Sequence, residues 1–175
     1  ITNGYVTIQN FNGYSLPAQA TAHTINVASG TYLALSSAYL DAIQTQSKPS
    51  NVTINGSGIS YGIFGDSGAI ECLAYSSLGT VTVASASSIS PLDALAIDAL
   101  SGPGDLTQIS PGRLQVTGTA SSAGFTGHVY VNSGTFASTG TGVGSTAGIV
   151  VSSGSTFELT GGTSTSLAKI TAADV

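Results

Sequence analysis

Short runs with apolar residues two positions apart recur along the chain. They are Val6-Thr7-Ile8, Ile25-Asn26-Val27, Val52-Thr53-Ile54, Val81-Thr82-Val83, Leu114-Gln115-Val116, Val129-Tyr130-Val131 and Ile149-Val150-Val151. Period two places alternate side chains on one face of a strand, so each run predicts a strand with one buried face. Three of them continue into the same corner: Ile25 to Tyr32, Val129 to Phe136 and, with one residue inserted, Ile149 to Phe157. Each passes through Ser-Gly before the next apolar residue. Glycine supplies the positive φ that a tight corner requires. The run starts at 25, 52, 81, 114, 129 and 149 lie 27, 29, 33, 15 and 20 residues apart. Such intervals suit coils of a β-solenoid with loops inserted in the longer ones. A β-sandwich also has many short strands. The repeated corner favours the solenoid, with Ser and Thr ladders on its outer face.

Two segments depart from the alternation. Ser90 to Leu100 reads as a short helix: Ser90 can cap it, Pro91 suits its first position, Asp93 its first turn, and Gly102-Pro103-Gly104 stops it. Leu33 to Ile43 is a second helical candidate, with Leu35, Tyr39, Leu40 and Ile43 near one face. The expected fold class is all-β: one parallel β-helix or β-solenoid module over residues 1–175, with one or two short helical insertions. Residues 1–101 would form more irregular coils carrying the helical insertions, and 102–175 a second set of coils with a glycine-rich pattern.

Composition narrows the function. Ser and Thr number 49 and Gly 23, whereas charged residues are 6 % of the chain, against about 25 % in an average domain. Lys48, Arg113 and Lys169 are the only cations, so clustered phosphate recognition, and with it nucleic-acid binding, is excluded. A mean hydropathy of +0.33 and a net charge of −5 favour a packed structure over disorder. The surface must be built from hydroxyls, amides and backbone, and trypsin has almost nothing to cut, which suits an extracellular protein. Low charge also gives weak protection against self-association. No run of 18 apolar residues predicts a membrane span. The chain opens without an initiator Met or a leader, which reads as a processed or excised part of a longer polypeptide. Cys72 is the one cysteine; its apolar surroundings predict a buried, unreactive thiol.

Residues 102–139, GPGDLTQISPGRLQVTGTASSAGFTGHVYVNSGTFAST, carry a motif of glycines and apolar residues. Its positions are Gly102, Gly104, Leu106, Gly112, Leu114, Val116, Gly118, Phe125, Thr126, Gly127, Val131, Gly134, Thr135 and Phe136. This resembles the passenger-associated repeat of bacterial autotransporters, and Ser153 to Gly162 echoes it weakly. The match covers about a fifth of the chain, and the remainder fits the repeat poorly. The resemblance implies a right-handed β-helix exported to the bacterial cell surface, and it implies no catalytic residues.

Gly65-Asp66-Ser67-Gly68 is the nucleophile motif of trypsin-like proteases, and His23 and Asp41 precede it in the order of that family's triad. Only 44 residues separate His23 from Ser67, too few for a first barrel and its linker, and Ala69 stands where the family has Gly. A triad is defined by geometry rather than order. The stretch therefore reads as a corner, with Gly68 taking the positive φ. A polysaccharide lyase or hydrolase would need clustered carboxylates; Asp66 and Glu71 are near each other, but Arg113 and the lysines are scattered. His23 and His128 stand alone without zinc spacing, the calcium-binding glycine–aspartate repeat of solenoids is absent, and Gly140 to Gly144 precedes no helix and so is no phosphate loop. The expectation is thus no catalytic residue, no metal and no cofactor. Tyr5, Tyr14, Tyr32, Tyr39, Tyr61, Tyr75 and Tyr130 read chiefly as core or ladder residues, with a glycan-stacking platform as the alternative.

The leading functional expectation is an extracellular structural protein that polymerises with copies of itself into a filament, layer or matrix. Its docking residues would be Tyr5, Val6, Ile8 and Phe11 at one end and Leu167 and Ile170 at the other. The alternative is a monomeric surface adhesin or glycan-binding passenger fragment. Assembly calls for apolar surface at the ends of the solenoid, whereas binding calls for it on a lateral face.

Overall fold

Hydrophobic strands with turn residues between them form three parallel ladders in a computed structural model. It describes residues 4–9, 24–36, 39–40, 51–61, 65–118, 124–139, 142–143, 146–160 and 170–172. The strands are β1 (Tyr5–Gln9), β2 (Thr24–Val27), β3 (Tyr32–Ser36), β4 (Tyr39–Leu40), β5 (Asn51–Gly56), β6 (Ser60–Tyr61), β7 (Gly65–Asp66), β8 (Ile70–Cys72), β9 (Ser76–Pro91), β10 (Ala94–Ser101), β11 (Leu106–Gln108), β12 (Arg113–Val116), β13 (His128–Val131), β14 (Thr135–Ser138), β15 (Gly148–Val151), β16 (Thr156–Leu159) and β17 (Ile170–Ala172). The first ladder runs β1-β3-β8-β9-β11-β13-β15-β17, the second β4-β9-β10-β12-β14-β16, and the third β2-β5-β9-β10. The long β9 takes part in all three: residues 76–78 in the second, 80–83 in the third and 87–91 in the first. One chain winding past three ladders in turn, always parallel to its previous pass, is a β-solenoid.

Each ladder stacks like on like. In the first, Val6, Leu33, Ile70, Ile89, Gln108, Val131, Val151 and Ala172 follow one another in register. In the second, Leu95, Leu114, Phe136 and Phe157 do so, and the rings of Phe136 and Phe157 stack 6.1 Å apart. In the third, Ile25, Val52, Val81 and Leu100 form the column. Apart from Val6 and Ala172 at the ends and the polar Gln108, these side chains fill one continuous core, and each fully buried Leu, Ile, Val or Phe contributes about 1.5–3 kcal/mol. From Ile70 onward the first ladder advances by 19, 19, 23, 20 and 21 residues per coil, while the steps from Val6 to Leu33 and Ile70 are 27 and 37. The tight coils thus begin at Ile70, ahead of residue 102.

Glycines set how closely the coils approach. A Cβ on Gly112 would overlap the carbonyl oxygens of Pro91 and Asp93 in the coil before it, and one on Gly127 the carbonyl of Gly104. The repeated Ser-Gly corner is as expected: Gly30, Gly134 and Gly154 have φ of +75°, +75° and +78°. Hydroxyl ladders bridge coils, with Thr82 Oγ1 2.7 Å from Ser101 Oγ and Ser90 Oγ 2.9 Å from Ser110 Oγ.

Both helical expectations are overturned, for no helix occurs among the described residues. Ser90 and Pro91 end β9, Leu92 and Asp93 form a bend, and Ala94–Ser101 is β10. Leu95 and Ile97 point into the core with period two, and the strand then passes to the third ladder, where Leu100 points inward. That change of face imitates helical spacing. Asp93 accepts a hydrogen bond from the Tyr75 amide at 3.0 Å instead of facing a helix terminus. Leu33 to Ile43 likewise begins as β3 and β4, and residues 41–43 lie outside the described residues. The runs starting at 81, 114 and 129, whose intervals suit coil lengths, do not stack on one another. Val81 pairs Leu100, and Leu114 pairs Leu95, because strands starting at 114 and 129 belong to two different ladders.

Candidate functional site

A parallel ladder that ends must present a strand paired on one side only, and the first ladder ends at β1 and at β17. Among the described residues β1 pairs only β3, and β17 pairs only β15. Tyr5 is 58 % exposed and Val6 44 %. The Tyr5 ring stacks on Tyr32 at 5.1 Å, so it is held in place while its other face meets solvent. Ile8 continues the β1 ladder opposite Leu35. At the other end Ile170 pairs Ile149 and packs half-buried on the core, and Thr171 and Ala172 are exposed. Phe11 and Leu167 lie outside the described residues. Of the six residues expected to dock, the structure thus brings Tyr5, Val6 and Ile8 to one edge and Ile170 to the opposite edge.

A lateral apolar feature accompanies the ends. Leu73 and Leu92 occupy the same corner of successive coils, since Cys72 pairs Pro91 just before them. Their amides donate to Leu35 and Cys72 carbonyls of the respective preceding coils. Leu73 is 46 % exposed, Leu92 50 % and nearby Tyr75 40 %. The exposed Pro111 sits at the next such corner. The ridge is not legible in the sequence, because residues 90–100 read there as a helix and Leu73 is one residue of the apolar surroundings of Cys72.

The Gly-Asp-Ser-Gly stretch belongs to a small insertion. The coil leaves the ladders at Gly56, which pairs Ser87, and rejoins at Gly68, which bridges Ile89; between them β6 and β7 form an antiparallel hairpin. Ser67 is 1 % exposed; its hydroxyl shares its one proton between the carbonyls of Ile59 and Gly68 and accepts from the Ile59 amide. Those bonds close the base of the insertion, aided by the Gly58–Gly68 bridge. Gly68 has φ +66°, as the corner reading required. His23 and Asp41 lie outside the described residues.

Other ionisable groups are spread over the coils. Asp105 Oδ1 accepts from the His128 amide at 2.8 Å and lies 3.3 Å from His128 Nδ1; the imidazole is 5.9 Å from the Tyr130 ring. Arg113 bridges to Glu158 two coils away, and that hydrogen bond holds the exposed carboxyl of Glu158 below its ordinary range. Burial raises Glu71 above the ordinary carboxylate value. Burial also pushes the Cys72 thiol up to about 11, with Asp93 adding to the effect and hydrogen bonds with Ser76 and Ala74 opposing it. Among the described residues no three His, Cys, Asp or Glu side chains gather as a metal site.

A groove of about 300 Å³ runs between the hairpin insertion and the outer side of the first ladder, lined by Ser57, Asp66, Ser87, Ser88, Thr107 and Ile109 around Ala86. The chain matches no protein-family model, no curated protein and no solved structure. The site must therefore be read from its own geometry.

Proposed function

We propose that this is a non-catalytic extracellular structural module that joins copies of itself end to end. The observation that carries the reading is that β1 and β17 are opposite edges of one parallel ladder. A second copy can add its β1 beside β17 without any change of strand direction. Carrying the register forward sets Thr171 against Tyr5 and Ala172 against Val6 of the next copy. Unpaired strand edges are templates for pairing. Contact between two different ends is heterologous, and it propagates as a filament when it does not close into a ring. A surface with few charges offers little repulsion to oppose it. An outside location, at a bacterial surface as the passenger-like repeat implies, belongs to the same proposal.

Light scattering over a concentration series tests it. The full chain is expected to grow in mass with concentration, and deletion of residues 1–11 to abolish growth while leaving the β-sheet circular dichroism intact. Normal growth of the truncated chain would sink the role of β1.

A second reading, monomeric adhesion through a lateral face, is favoured by the ridge of Leu73, Tyr75 and Leu92. It calls for a chain that stays monomeric and loses partner binding on Leu92→Ser.

A further inference from the structure

The geometry points to the groove beside the β6–β7 insertion as a binding site for one unit of a neutral saccharide. Its volume, about 300 Å³, stands at the lower end of the roughly 300–1,000 Å³ of small-molecule sites. Of the insertion's described side chains, at 57–60 and 65–67, none belongs to the hydrophobic core cluster. It is nevertheless closed at its base by the Ser67 hydroxyl, which accepts from the Ile59 amide and shares its proton between the Ile59 and Gly68 carbonyls, and by a glycine pair too close for any side chain, since a Cβ on Gly58 would overlap the Gly68 carbonyl. Rigid loops outside the core are where binding groups are carried. What this one presents is the exposed carboxylate of Asp66, which makes no hydrogen bond with the described residues. Thr107, two coils further on, lines the same groove, and its hydroxyl makes no hydrogen bond with the described residues.

The lining chemistry selects the ligand. Asp66 repels anions, and the groove holds no cation to receive one. A single carboxylate is a poor calcium site, since that ion takes six to eight oxygens and commonly several carboxylates. A sugar ring instead offers hydroxyls to donate to Asp66 and to exchange with Thr107, and C–H faces to lie on Ala86 and Ile109. Tyr130 adjoins Thr107 in the first ladder and is outward and half-buried, so it extends the surface with an aromatic face. The open side of the groove lets the unit belong to a longer chain. This site is separate from both the ladder ends and the Leu73–Leu92 ridge, so it stands or falls independently of either.

The test is a titration of the isotope-labelled full chain with D-glucose, D-galactose and N-acetyl-D-glucosamine, followed by amide chemical shifts. At least one sugar is expected to give saturable shifts at residues 65–68, 87–88 and 107. Asp66→Asn, which keeps size and shape, should weaken binding roughly tenfold by removing a charge-assisted acceptor, and Tyr130→Ala should weaken it less. No saturable shift with any of the three sugars, or Asp66→Asn binding like the parent, would overturn the proposal. Calcium alone saturating the same amides would overturn it in favour of a cation site.

Discussion

At Gly112 the backbone of one coil presses against the carbonyls of Pro91 and Asp93, and the fold leaves no room there for a methyl group. Gly112→Ala is expected to cost roughly 1–3 kcal/mol, the range for forced overpacking, read as a lower urea midpoint with an unchanged slope. The glycines of residues 102–139 were legible as a motif, but their reason was not. They look like turn formers in sequence, whereas Gly112 and Gly127 are spacers between coils. Ser67 is a second case. Its motif is that of a protease nucleophile but reads as a corner, and its hydroxyl is buried, accepting from the Ile59 amide and sharing its proton between two carbonyls. Ser67→Ala is expected to lower stability by roughly 1–3 kcal/mol, and a wild-type denaturation midpoint in that variant would contradict the assigned role. Cys72 bears on pH. Its folded thiol titrates near 11 instead of 9.0, so the unfolded chain loses its proton first as pH rises. The contribution is fully present below about pH 9 and is lost as pH rises toward about 11. Comparing the chain with Cys72→Ala over that range should show a steeper loss of stability in the parent; parallel curves would contradict it.

At the scale of elements, alternation located β1, β2, β5, β12, β13 and β15 and the middle of β9, and the Ser-Gly corner located the bends at Gly30, Gly134 and Gly154. Helix-forming Ala and Leu misdirected the reading of β10, because ladder pairing on both sides outweighs local propensity. A strand that crosses from one ladder to another also shifts its inward phase, and no single period describes it. Gln108 shows the same limit. It lies fully buried between Ile89 and Val131 in an otherwise aliphatic column, where a polar residue is not expected. Its Nε2 donates to the Gly112 carbonyl at 2.9 Å, while its Oε1 has no partner among the described residues. The Gly112 oxygen already accepts from the Thr135 amide. Gln108→Leu, which removes the orphan acceptor and restores the column, is therefore expected to stay within about 1 kcal/mol of the parent by thermal or urea unfolding. A larger loss would mean that the Nε2 bonds outweigh the orphaned oxygen.

For the whole molecule, the solenoid was legible because its repeat is written in corners and alternating strands. The surface was less so. Tyr5 and Val6 could be nominated from their place in an N-terminal alternating run, but the Leu73–Leu92 ridge and the groove under Asp66 arise from residues 19 or more apart that only the winding brings together. The central claim is that β17 of one copy pairs β1 of the next. Disulfide cross-linking of a Val6→Cys, Ala172→Cys double variant tests it most directly, because neighbouring strand positions bring Cα atoms within disulfide reach and the native Cys72 is buried. Under mild oxidation at rising protein concentration, the account predicts a ladder of covalent dimers, trimers and longer species, absent from either single variant beyond dimer. Monomer alone at every concentration would contradict it and return the weight to a lateral binding face.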